Sequence, residues 1–143
     1  MKPACHHLGL FVHDLERMTR FYVQRLGFSL DRDYTVEKEM MQKIFALNSA
    51  CRIRYLNLRG FGMELFCFYE IKLNRLQPKQ PGLNHWTLLV EDKDKFCRDL
   101  EKKRIKIIKI PKPHGFTYFI RDPEGNLIEV KSHELKDNTK TRY

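Results

Sequence analysis

The feature that most constrains this chain is that it repeats itself. A shift of 78 residues lays His7 on His85, Leu10 on Leu88, Val12 on Val90 and Asp14 on Asp92. A shift of 65 residues lays Gly60 on Gly125 and Glu64 on Glu129. HLGLFVHDL thus overlies HWTLLVEDK, and GFGMEL overlies GNLIEV. The two offsets differ by 13 residues, the size of an extra segment, VEKEMMQKIFAL, in the first half. A chain built this way folds as two copies of one supersecondary unit.

Local patterning names that unit. Alternation from Cys5 to His13 predicts a strand, and Asp14 caps a helix whose apolar stripe runs over Met18, Phe21, Tyr22 and Leu26 to Gly27. Strands are expected at 28–34, 52–58 and 63–69, with a helix over 36–47 and a turn at Gly60 and Gly62. The pattern then restarts: strand 84–91, cap Asp92, helix 96–103, strands 105–110 and 116–120, the turn DPEG at 122–125, and strand 127–130. Each half reads β-α-β-β-β, an α+β arrangement. The expected organisation is one domain over 1–133, with module one at 4–76, a linker at 77–83, module two at 84–133, and a polar tail at 134–143.

Composition excludes several classes. A chain of 143 residues with 42% hydrophobic residues supports one real core, so it is neither disordered nor collagen-like. There is no apolar run long enough for a membrane span and no signal-peptide pattern, so a cytoplasmic protein is expected. Cys5, Cys51, Cys67 and Cys97 form no CxxC pair and read as reduced thiols. The net charge of +9 is dispersed, and no basic motif with interleaved glycines or aromatics accompanies it. It reads as a solvated surface rather than a nucleic-acid site, and Arg52, Arg54 and Lys112 read as surface charge, with contact to an anionic substrate as their alternative.

Four residues carry the chemistry: His7, Glu64, His85 and Glu129. A carboxylate in mid-strand between apolar neighbours is costly without a partner. Glu64 lies between Met63 and Leu65, and Glu129 between Ile128 and Val130. Two such residues at equivalent positions of the repeat, with two equivalent histidines, ask for a shared partner. A divalent metal supplies one, because imidazole nitrogen and carboxylate oxygen suit Ni, Zn, Co, Mn or Fe. His6, His13, His114 and His133 lack this symmetry and read as ordinary histidines.

These residues resemble the vicinal oxygen chelate superfamily, which includes glyoxalase I, methylmalonyl-CoA epimerase, extradiol dioxygenases, and fosfomycin-resistance and bleomycin-binding proteins. The likeness runs from residue 5 to about 133 through HLGLFVHDLERMTRFYVQRLGF, MELFCF, NHWTLLVED and RDPEGNLIEV. It implies an open, cup-shaped mixed sheet built from paired β-α-β-β-β modules, a homodimer, and one divalent metal ion on His7, Glu64, His85 and Glu129. The His-Glu-His-Glu set is most similar to bacterial glyoxalase I. That implies a lyase or isomerase acting on a small-molecule carbonyl substrate, in some cases a thiol adduct. The metal stabilises an enediolate, and Glu129, with Glu64 as its symmetric counterpart, moves the proton. A metal-dependent epimerase or extradiol-type dioxygenase on the same fold is the second reading. A non-catalytic binding protein for an antibiotic or metabolite is the third.

Two positions depart from the glyoxalase pattern. Bacterial glyoxalases place Arg four residues after the first His and Asn four after the first Glu, to hold glutathione. Here those positions are Phe11 and Phe68. With Phe66 and Leu89 they alternate on the ligand faces and form a candidate substrate pocket.

Overall fold

A computed structural model describes residues 4–74 and 81–133. The chain divides into two compact units, Met1–Gln80 and Pro81–Tyr143. The first contains β1 (His7–Phe11), α1 (Leu15–Leu26), β2 (Ser29–Val36), α2 (Lys38–Phe45), β3 (Cys51–Leu58) and β4 (Phe61–Phe68). The second contains β5 (His85–Val90), α3 (Lys93–Lys102), β6 (Ile107–Lys112), β7 (Gly115–Arg121) and β8 (Leu127–Ser132). The expected β-α-β-β-β order holds in both, with α2 as the extra segment of the first. The expected tail, and residues 77–80 of the expected linker, lie outside the described residues.

Each unit has one four-stranded mixed sheet, ordered β1-β4-β3-β2 and β5-β8-β7-β6. The first and last strands of each unit, β1 with β4 and β5 with β8, pair in parallel, and the other pairs are antiparallel. The caps obey the repeat. Asp14 Oδ1 accepts from Arg17 N, and Asp92 Oδ1 accepts from Lys95 N, each at 2.9 Å. Each satisfies an amide that a helix start leaves unpaired. Gly27 ends α1 at φ 82°, the left-handed conformation that a side chain disfavours.

Apolar burial follows strand alternation. In unit 1, Met18 and Tyr22 of α1, Leu56 of β3, and Met63 and Leu65 of β4 are fully buried. In unit 2, Leu100 of α3, Ile120 of β7, and Ile128 and Val130 of β8 are equally closed to water. The cysteines form no disulfides, and burial pushes the Cys51 thiol up to about 12 and the Cys97 thiol up to about 11. Both are neutral core groups at physiological pH.

Two details differ from expectation. α2 is shorter than 36–47, because Val36 still pairs with Cys51 in the β2–β3 ladder. Gly62 lies inside β4 rather than in the turn, which Arg59 and Gly60 form with positive φ. A Cβ on Gly62 would sit 2.1 Å from Tyr55 Oη and 2.9 Å from His7 Cβ, so this strand glycine exists for close packing.

The end of α2 offers a stability test. Ala46 closes the helix at φ 58°, where a Cβ is unfavourable. Ala46→Gly is expected to raise the unfolding free energy by about 0.5–1 kcal/mol in urea titration.

Candidate functional site

Register brings the four residues together in pairs, one in each unit. Across the parallel β1–β4 ladder, Gly9 lies opposite Glu64. Across β5–β8, Thr87 lies opposite Glu129. In each unit the glutamate therefore pairs with the residue two beyond the histidine, on the same sheet face. His7 Nε2 is 3.3 Å from Glu64 Oε2, and His85 Nε2 is 3.7 Å from Glu129 Oε2.

Turn chemistry shapes the hairpins that carry the two glutamates. Asn57 Oδ1 accepts from Gly60 N at 3.1 Å before β4. At the equivalent place before β8, Asp122 Oδ1 accepts from Glu124 N and Asn126 N at 3.0 and 2.9 Å. Such side-chain turns hold the β3–β4 and β7–β8 hairpins at one length, and the parallel pairing with β1 and β5 then faces each glutamate to its histidine.

The histidines are held alike from behind. His6 Nδ1 lies 2.9 Å from His7 Nδ1, and Asn84 Oδ1 lies 2.5 Å from His85 Nδ1. A histidine that donates through Nδ1 keeps its lone pair on Nε2, the atom here facing a carboxylate. Asn84 Oδ1 can only accept, so His85 Nδ1 donates and the neutral ring turns its Nε2 lone pair to Glu129, where a proton or a cation belongs between them. Between His6 and His7 either ring can donate. In each unit the donors are one imidazole nitrogen and one carboxylate with no thiolate, groups that suit a borderline divalent ion. Among the described residues, no group of three or more His, Cys, Asp or Glu gathers that could hold a metal ion.

The two carboxylates are held differently. Glu64 has 16% of its side chain exposed, and Tyr34 Oη donates to its Oε1 at 3.1 Å. Burial and the Glu64 charge push the Tyr34 hydroxyl up, so it stays a neutral donor. Glu129 is 8% exposed. Its Oε2 accepts from Thr87 Oγ1 at 3.1 Å and lies 3.3 Å from Lys131 Nζ.

Unit 1 adds a cleft of about 480 Å³ with His7, Gly9, Glu64 and Tyr34 on one side and α2 on another. Of the expected pocket residues, Phe66 lines it. Phe11 and Phe68 do not. They stack edge-to-face on each other at 5.3 Å, and Phe11, itself exposed, packs edge-to-face on the lining residues Phe45 and Phe66 at 5.0 and 5.9 Å. Leu89 belongs to unit 2 and is exposed there. The sequence reading missed Tyr34, and it missed Met40, Ile44 and Phe45 of α2 as a wall. The apolar stripe of α2 was the available signal.

Arg54 corrects another expectation. It is not surface charge but 7% exposed, on the strand face opposite Ile53 and the cleft. It donates to Asp33 Oδ2 at 2.9 Å, Glu16 Oε1 at 2.5 Å and Thr19 Oγ1 at 3.1 Å. Arg52 holds the same Asp33 with two bonds of 2.8 and 2.9 Å.

Comparison with known proteins defines the class. The model of the Glyoxalase/Bleomycin resistance protein/Dioxygenase superfamily matches residues 4–130, and the chain belongs to that superfamily. Its members generally bind a divalent metal ion. The chain is 28% identical over 132 residues to the uncharacterised protein YwkD of Bacillus subtilis (strain 168), covering 89% of this chain and 94% of that one. It is similar in structure to the trypanothione-dependent glyoxalase I of Leishmania major (TM-score 0.70, 23% identity, 92% of this chain and 87% of that one). It is also similar to TnmS3, an antibiotic-binding protein from Streptomyces sp. CB03234 (TM-score 0.63, 19% identity, 92% and 96%). At these identities the solved structures speak for the fold alone. Among the described residues, no helix is long and apolar enough to cross a membrane.

Proposed function

We propose that the protein is a divalent-metal-dependent lyase or isomerase of the glyoxalase I type, acting on a small carbonyl compound. The observation that carries this reading is the twofold recurrence of one His–Glu register, with Nε2 facing a carboxylate oxygen each time. His7, Glu64, His85 and Glu129 hold the ion. When bound, it supplies Lewis acidity to substrate oxygens. Glu129 takes the proton from one carbon and returns it to its neighbour. Tyr34 keeps Glu64 in place through Oε1. Phe11 and Phe68, where glutathione-using enzymes carry polar groups, favour a thiol other than glutathione or a substrate with none. A cytoplasmic homodimer fits the same reading.

Metal analysis tests it. Protein purified without chelator or affinity-tag nickel is expected to carry about one equivalent of divalent metal. His7→Ala/His85→Ala is expected to carry none. The apolar lining of the unit 1 cleft favours a second reading, a binding protein that holds its ligand without turnover. Absence of metal from the parent protein, even after reconstitution, selects that second reading.

A further inference from the structure

The short helix α2 carries apolar side chains where a surface helix ordinarily carries charge. Met40 and Ile44 are 49% and 57% exposed, and Phe45 is exposed beside them. All three line the unit 1 cleft. Met41, on the inner side of the helix, is buried against Cys51, Ile53 and Phe66 and ties α2 to the sheet. Phe45 and Phe66 meet edge-to-face at 5.6 Å across the cleft wall. The polar side chains lining the cleft are His7, Glu64 and Tyr34, all at the sheet side, and among the described residues no Lys or Arg lines it. Unit 2 has no counterpart of α2 between β6 and β7. Among the described residues the wall is therefore the large departure from the internal repeat.

This geometry sorts substrates. An anionic peptide arm placed here would lose its hydration with no cation to replace it, which is costly. An apolar group would release the water now held against Met40, Ile44 and Phe45. An apolar cavity of about 150 Å³ already holds a benzene ring, and this cleft is larger.

We propose that the cleft receives an apolar, phenyl-sized group of the substrate, and that the substrate class is neutral carbonyl compounds bearing an aromatic or branched-alkyl group. The placing of the substrate's oxygens rests on the proposed metal site. The preference for the apolar group does not.

Two titrations separate these claims. In the first, metal-free full-length protein carrying [13C-methyl]methionine is titrated with benzyl alcohol. The Met40 and Met41 methyl resonances are expected to shift to saturation, while those of Met18 and Met63, buried outside the cleft lining, stay still. Ile44→Asp, a change at an exposed position that folding tolerates, is expected to abolish the shifts. Unmoved Met40 and Met41 signals, or equal shifts at all four methionines, overturn the proposal. In the second, metal-loaded protein is titrated calorimetrically with acetohydroxamate and benzohydroxamate, which share one chelating head. Benzohydroxamate is expected to bind at least about tenfold more tightly, and Ile44→Asp to erase the difference. Equal affinities overturn the apolar-group assignment. If neither hydroxamate binds, the metal site fails, and the methionine shifts still decide the cleft.

Discussion

Glu129→Gln is expected to lower turnover of a 2-oxoaldehyde–thiol adduct by about 10²–10⁴-fold, with metal content retained. At about 1.4 kcal/mol per decade, that is about 3–6 kcal/mol of lost barrier lowering. The substitution keeps the shape of the side chain and an oxygen for Thr87 Oγ1 to bond. It removes the ability to take a proton. The choice of Glu129 over Glu64 follows from how each is held. Both oxygens of Glu64 are engaged, Oε1 by Tyr34 and Oε2 facing His7. The contacts of Glu129 with Thr87, His85 and Lys131 all fall on Oε2. Its Oε1 has no such contact among the described residues. A carboxylate held at one oxygen offers the other to a proton without losing its position. Steady-state kinetics, with metal measured on the same sample, checks this. Unchanged kcat in Glu129→Gln removes that residue from the base role and shifts attention to Glu64.

What the sequence discloses here depends on distance along the chain. Strand alternation, the aspartate caps at 14 and 92, and the His–Glu repeat are local or periodic patterns, and all reappear in the structure. Contacts that depend on register across strands were hidden. Tyr34 and Glu64 are 30 residues apart, and nothing within either segment announces their hydrogen bond. Gly62 read as a turn residue because Gly60 precedes it. Its actual role depends on Tyr55, which packs over it from the neighbouring strand. In RIRYLNL, alternation set Arg52 and Arg54 on the face opposite Ile53 and Tyr55. The pattern alone places that face in water. In the structure Arg54 is closed off there, bonded to Thr19 and Glu16 of α1.

Arg54→Met is expected to lower the unfolding free energy by about 1–3 kcal/mol at neutral pH, the range for charged hydrogen bonds lost from a shielded site. Methionine preserves the aliphatic stem, so packing changes little. The lower end is favoured because Glu16 is largely exposed and Asp33 partly so. Once Arg54 is gone, Glu16 returns to water and Asp33 keeps its two bonds from Arg52, so neither remains as a buried unpaired charge. The pH dependence identifies the source. The Arg54 guanidinium holds the Glu16 carboxyl below its usual range, and Arg52, then Arg54, do the same for Asp33. A carboxylate with a depressed folded-state pKa stabilises the fold fully above its ordinary value, near pH 4. That contribution disappears as pH falls through the depressed value. The parent protein is therefore expected to lose stability below about pH 4. Arg54→Met is expected to lose less, so the gap between them narrows from pH 7 to pH 3. Urea unfolding at the two pH values measures both gaps. An equal gap at each pH would mean that Arg54 acts through packing and its bond to Thr19, with no stabilisation from the two carboxylates.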